Sequence, residues 1–212
     1  MDEVHNKNVA EEDTLQKSQD NREWKAKEGN KNTVLGFLRD LTCILAGVIL
    51  VFLLVFRVVV VSGSSMNNTL VHGDYLLLLN NVFYPEPKQG DIIVASKKSF
   101  ENGDPIIKRV IATEGQRVQI AAGTGIVMVD GVILKEDSYI SSATIANDLD
   151  VVVEPGCVFV MGDNRMRSKD SRSSEIGQID EREILGKALF LFCPGKDPIT
   201  KKMDFSRIGG LG

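Results

Sequence analysis

Leu41 to Val61 reads LTCILAGVILVFLLVFRVVVV, and Ser62-Gly63-Ser64-Ser65-Met66-Asn67-Asn68-Thr69-Leu70 follows it without a break. The first stretch is the only strongly apolar run in the chain. The second is small, flexible and rich in hydroxyls. Leu41–Phe56 is sixteen residues without a charge, and as a helix it would span about 24 Å, short of a ~30 Å hydrocarbon core. Continuing through Arg57 to Val61 makes twenty-one residues. Arg57 would then snorkel at the outer interface. The reading is one transmembrane anchor over 34–61, leading into a strand, with chemistry at the bilayer surface just beyond it. A cleaved signal peptide fits less well, because the polar region before the run is long and no small-x-small site closes it.

Working outward toward the N-terminus, residues 1–33 are polar and without apolar periodicity, which reads as a disordered tail. Its charge is patterned. Positions 1–21 hold two Lys against six acids, and positions 22–39 hold five Lys/Arg against two Glu. The basic cluster (Arg22, Lys25, Lys27, Lys31, Arg39) abuts the apolar run. The positive-inside rule then keeps the N-terminus in the cytoplasm and sends the chain outward. The expected location is the cell membrane, single-pass, with residues 62–212 as an extracytoplasmic domain.

Beyond Leu70 the pattern changes. Gly73-Asp74, Gly90-Asp91, Gly103-Asp104 and Gly162-Asp163 punctuate short apolar runs: Tyr75–Leu79, Ile92–Ala95, Ile106–Ala112, Val118–Ala121, Ile126–Val129, Val132–Leu134, Cys157–Met161 and Ala188–Phe192. Asp130-Gly131 between two such runs is a two-residue hairpin signal. Short strands with frequent turns predict a mainly β, antiparallel domain. Residues 135–156 carry no clear period and read as loops.

Composition excludes several classes. The net charge of −4 argues against nucleic acid as the main partner. No Cys-x-x-Cys or Cys/His zinc spacing exists, so no metal or other cofactor is expected. Cys157 and Cys193 could bridge only if their Cα atoms come within about 7 Å; otherwise they are free thiols. Histidine is the useful absence: only His5 and His72 are present. His5 lies on the far side of the anchor, and His72, beside Gly73-Asp74, reads as a solvated turn residue.

A serine hydroxyl needs a base. Without histidine the remaining bases are carboxylates and lysine, and lysine serves only when desolvation favours its neutral form. That requires a lysine inside an apolar strand. Ile106-Ile107-Lys108-Arg109-Val110-Ile111-Ala112 offers one. Strand alternation gives both faces apolar neighbours and does not choose between Lys108 and Arg109. Chemistry does, since arginine does not deprotonate. An edge strand with a solvent-facing ammonium would look the same, so a serine plus a strand lysine is a weak signal alone. The third constellation, Gly162-Asp163-Asn164-Arg165-Met166-Arg167-Ser168-Lys169-Asp170-Ser171-Arg172, follows an apolar strand. It can carry an Asp170–Arg172 ion pair and a hydroxyl that orients an amine, or it can be a solvated turn.

Taken together and in order, these stretches resemble the bacterial type I signal peptidases, membrane-anchored Ser-Lys endopeptidases. The resemblance covers residues from about 35 to 192. It rests on Ser65-Met66 with Thr69-Leu70 behind the anchor, Gly73-Asp74, Lys108-Arg109-Val110-Ile111 with Gly115, and Gly162-Asp163-Asn164 through Ser168, Asp170, Ser171 and Arg172. It implies an all-β catalytic core. It implies Ser65 as nucleophile, Lys108 as general base, Ser168 as the hydroxyl orienting that lysine, and Asp170 and Arg172 as the pair holding the site. The implied substrates are exported preproteins whose signal peptides end in Ala-x-Ala. Val59, Val61, Met66, Leu70, Ile106 and Ile107 flank the motifs and are the expected lining of shallow pockets. The oxyanion donor would be the Ser65 N–H; some relatives add a hydroxyl two residues earlier, where this chain has Gly63. The family commonly has Pro where this chain has Asn68, and loss of a fixed φ is expected to loosen the loop. The short spacing between Lys108 and Gly162 resembles the compact form without a large inserted domain. The alternative function is a catalytically impaired, membrane-tethered domain that binds peptides without cutting. A self-cleaving Ser-Lys repressor would need an internal cleavage segment and usually a DNA-binding domain, which the anchor and acidic tail oppose. The oligomeric state is not legible.

Overall fold

The apolar run folds as helix α1, Leu35–Val55, in a computed structural model that describes residues 35–97, 100, 103–144, 147–197 and 199–211. The tail expected over 1–33 lies outside the described residues. α1 has the expected length of twenty-one residues but starts six earlier than the run Leu41–Val61. At 1.5 Å per residue it spans roughly 31 Å, enough to cross a hydrocarbon core. Its apolar side chains are exposed. The helix stops where β-branching concentrates: Val58 to Val61 lose little as a strand and more as a helix. Phe56–Val60 is therefore strand β1, and Arg57 lies in a sheet rather than at the end of a helix.

The chain divides into two units, 1–52 and 53–212. In the second, the strands of the described residues pair antiparallel. Its strands are β1, β2 (Tyr75–Asn80), β3 (Ile92–Ser96), β4 (Pro105–Thr113), β5 (Arg117–Ile120), β6 (Val127–Val129), β7 (Val132–Ile133), β8 (Leu149–Val152), β9 (Cys157–Met161), β10 (Ile179–Asp180), β11 (Ile184–Cys193) and β12 (Gly209–Gly210). One sheet runs β1-β2-β11-β3-β4-β9-β10, with β12 on β11, and the other runs β7-β6-β5-β8. All eight expected apolar runs are strands. Asp130 and Gly131 both have positive φ, 52° and 77°, as a two-residue hairpin between β6 and β7 requires. β8 departs from the loop expected over 135–156: its exposed and half-buried residues alternate, so no apolar run marks it.

Three core clusters follow from the alternation. The one that positions the site contains Val61, Met66, Leu70, Leu76, Leu78, Ile92, Val94, Ala188 and Leu191. Met66 and Leu70 come from the hydroxyl-rich stretch itself. They pin it to the sheet at both ends, each contributing about 1.5–3 kcal/mol by burial. A second cluster packs β4 and β9 against the smaller sheet through Ile111, Val118, Ile120, Val129, Phe159 and Met161.

Leu70→Ala removes a side chain with no exposed surface and is expected to cost about 2–5 kcal/mol. Thermal unfolding of the full chain in detergent micelles checks this; an unchanged midpoint would contradict the packing.

Candidate active site

Ser65 opens a tight turn. The N–H groups of Thr69 and Leu70 donate to the Met66 carbonyl at 3.1 and 2.8 Å, and the Asn67 N–H donates to the Ser64 carbonyl at 3.1 Å. Asn68 stands in this turn with φ +96°. Proline, with φ fixed near −65°, cannot adopt that conformation, whereas asparagine is among the residues that reach positive φ most readily. The backbone at this position thus favours asparagine over proline.

β4 brings Lys108 to Ser65. Lys108 pairs with Ile93 across β3 and turns its side chain into the molecule, leaving it 4% exposed. Its Nζ donates to Ser65 Oγ at 2.9 Å and to the Ile107 carbonyl at 3.1 Å. Two residues 43 apart in sequence thus meet at hydrogen-bond distance.

The Gly162–Arg172 loop closes the site from the other side. The Asn164 N–H donates to the Ser65 carbonyl at 3.0 Å, and its side-chain amide donates to the Ser64 carbonyl at 2.9 Å. Gly162 lies so close that a Cβ there would strike the Ser65 carbonyl and Ser168 Oγ. Ser168 therefore packs beside the Ser65 backbone; its hydroxyl donates to the Lys169 carbonyl at 3.4 Å. Asp170 is buried and organises the loop. It accepts from the Gly162 N–H at 3.0 Å and from Arg172 at 2.7 and 2.8 Å. Arg172 also donates to the Arg165 carbonyl at 2.9 Å.

Arg109 points away from Lys108 into a second network. Its guanidinium grips Asp163 at 2.9 and 2.7 Å, and the Thr69 hydroxyl donates a short bond to the same carboxylate. Arg109 also lies over the Tyr139 ring at 4.2 Å. Tyr139 donates to Glu136 at 3.1 Å, and Arg165, wholly buried, pairs with Glu136 and Thr144. Burial first, then the Glu136 charge, pushes the Tyr139 hydroxyl well up, so it keeps its proton as a donor.

A cleft of about 580 Å³ runs along Val59–Met66 and Asp104–Lys108. Val59, Val61, Met66, Ile106 and Ile107 line it, together with Phe100 and Val94. Leu70 is not in that lining: its side chain lies in the core. Gly63 borders the cleft at φ +95°, with its N–H donating to His72 Nδ1 at 3.3 Å. Cys157 and Cys193 are free thiols. Among the described residues, no group of His, Cys, Asp and Glu is placed to hold a metal ion.

Sequence reasoning had placed no role on Thr69, Asn164, Glu136 or Tyr139. Asn164 stood inside a quoted motif, but its two backbone targets 100 and 99 residues earlier follow only from the fold.

The comparisons with known proteins agree on one class. The family described as "Signal peptidase, peptidase S26" matches residues 34–193. A probable signal peptidase I-1 of Synechocystis sp. is 40% identical over 63% of this chain and 69% of its own length. A signal peptidase I of Bacillus licheniformis is 31% identical over 77% of this chain and 91% of its own. A solved signal peptidase I from Enterococcus faecalis V583 aligns at 29% identity with TM-score 0.40, covering 48% of this chain and 96% of that one. The chain belongs to the signal peptidase family, peptidase S26. It is a serine peptidase.

Asn68→Pro is expected to disrupt the turn, lowering both the unfolding midpoint and peptidase turnover, whereas Asn68→Gly retains both. Thermal unfolding and an endpoint cleavage assay on the two variants check this. Equal behaviour of Pro and Gly would contradict the positive φ.

Proposed function

We propose that this chain removes N-terminal signal peptides from exported preproteins, cutting after an Ala-x-Ala-type site at the outer membrane surface with a Ser65–Lys108 dyad. The observation that carries this reading is the 2.9 Å hydrogen bond between Lys108 Nζ and Ser65 Oγ, made by a lysine almost excluded from water, in a chain of the S26 family.

The chemistry follows from those two side chains. A neutral Lys108 amine takes the Ser65 proton as Oγ attacks the scissile carbonyl. The Ser65 N–H is the donor assigned to the oxyanion. As the tetrahedral intermediate collapses, the Lys108 ammonium returns its proton to the leaving amine of the mature protein. A water molecule then gives a proton to Lys108 and attacks the acyl-serine carbonyl. As that second intermediate collapses, the Lys108 ammonium returns the proton to the departing Ser65 Oγ, which frees the signal peptide with a new carboxyl end and restores the pair. Ser168 orients the lysine, and the Asp170–Arg172 pair fixes the loop that carries Ser168. Gly63 contributes no side chain.

Strand pairing supports the mode of substrate binding. β4 pairs with β3 along Pro105–Arg109, but β9 joins it only from Arg109 onward. Among the described residues, β1 pairs with β2 alone. The free stretches of β1 and β4 both border the cleft. An extended signal peptide can pair with such edges through its backbone, while Val59, Val61, Met66, Ile106 and Ile107 select small apolar side chains. The basic cluster before α1 supports a cytoplasmic N-terminus, a single crossing of the lipid bilayer, and residues 62–212 outside.

Cleavage of an Ala-x-Ala preprotein by the full chain in detergent tests the dyad. Ser65→Ala and Lys108→Ala are each expected to lower kcat by at least about a thousandfold, given the larger losses typical when a nucleophile or its base is removed. Persistent cutting by Ser65→Ala would move the nucleophile to Ser64 or Ser62. Wild type that binds the preprotein without cutting would leave the peptide-binding reading.

A further inference from the structure

The nucleophile turn is held from a direction that the motifs do not include. Arg207 closes a 3-10 turn, Phe205–Arg207, capped by Asp204. It lies beyond residues 34–193, the part matched to the family. Its guanidinium donates to both oxygens of Asp74, at 2.9 and 2.6 Å, and to the Thr69 carbonyl at 3.0 Å. Asp74 has no exposed surface. It also accepts the Val71 N–H at 2.7 Å and the Gly195 N–H at 2.7 Å. Thr69 is therefore clamped at both ends: its hydroxyl by Asp163 and its carbonyl by Arg207.

The approach of this C-terminal segment is built in. A Cβ at Gly195 would strike the His72 carbonyl and crowd the backbone of Gly73 and Asp74, so only glycine lets the chain cross there. β12 then pairs with β11, and the Leu211 N–H donates to the Leu189 carbonyl at 2.9 Å, which fixes the far side of the Arg207 turn. A bidentate ion pair with one partner fully buried is directional and rigid.

We infer that Arg207 is a positioning residue for the peptidase reaction: it fixes the Ser65–Leu70 turn, and through it the aim of Ser65 Oγ at Lys108 and the scissile carbonyl. The inference rests on the reading of Ser65 as the nucleophile. Removal of the guanidinium frees the Thr69 carbonyl and leaves the Asp74 carboxylate buried beside two N–H donors. Leu70 and the Thr69–Asp163 bond still hold that end, but the Thr69 carbonyl and Asp74 lose the partner they share, and the turn shifts relative to β4. Misplacement of a nucleophile by about an ångström costs up to a hundredfold in rate, while the cleft walls at Val59, Ile106 and Ile107 keep their places.

The test uses the full chain in detergent micelles with Arg207→Met, Arg207→Lys and wild type. Hydrogen exchange and steady-state cleavage of an Ala-x-Ala preprotein are both measured. Arg207→Met is expected to raise exchange at Thr69–Val71 while β3 and β4 keep their protection, and to lower kcat about tenfold or more with KM little changed. Arg207→Lys is expected to recover part of kcat. Unchanged exchange at Thr69–Val71, or a loss confined to KM, overturns the inference. Should Arg207→Met fail to fold, the same two readouts on Arg207→Lys decide: local exchange and a kcat loss support the inference, and wild-type values refute it. Wild type that does not cut any preprotein refutes the dyad reading instead, and the exchange data still decide whether Arg207 holds the turn.

Discussion

Arg109 and Asp163 form a two-pronged ion pair almost out of reach of water, and the site is arranged around it. Asp163 takes the Thr69 hydroxyl as well, so one carboxylate ties the Ser65–Leu70 turn to the strand that carries Lys108. Loss of one partner of such a buried pair costs about 3–5 kcal/mol, a large share of the 5–15 kcal/mol of a whole domain. Position in the strand does the rest. Because neighbours in a strand face opposite ways, fixing Arg109 on one face fixes Lys108 on the other.

This division of labour explains an ambiguity in the sequence. In Ile106–Ala112 both faces are apolar, so alternation gives no reason to prefer either cation as the buried one. Both are buried, at 4% and 8% exposure. Lys108 faces the cleft and Ser65; Arg109 faces a carboxylate and an aromatic ring. Arginine holds its proton where lysine can lose one, a difference that the apolar pattern does not express.

Legibility elsewhere followed the same logic. Strands with a strong apolar run were plain, and the Asp130-Gly131 turn was plain because its backbone conformation restricts residue choice. β8 was hidden because Leu149-Asp150-Val151-Val152 has too little apolar content to stand out from its flanks. The end of α1 was hidden because hydropathy treats Val58–Val61 as it treats Leu50–Val55, although β-branching drives them to different backbones. Ser65, Lys108 and the Asp170–Arg172 pair could be named from motifs. Arg207, Asn164 and Tyr139 could not, since their partners lie far away in sequence and nothing local marks them. Leu70 illustrates the converse: it sits in a motif, yet it serves the core and not the cleft.

Gly162 limits how this chain can drift. Any side chain there would collide at once with the Ser65 backbone and with Ser168. The two loops cannot back away, because Asn164 binds one to the other and the Asp170–Arg172 pair stiffens the second. No substitution at 162 is conservative, and trimming Ser168 would still leave the Ser65 carbonyl in the way. A loop from elsewhere can therefore sit against the Ser65 turn only if it keeps glycine at 162, because the Ser65 carbonyl it must clear belongs to the backbone and is there whatever side chain stands at 65.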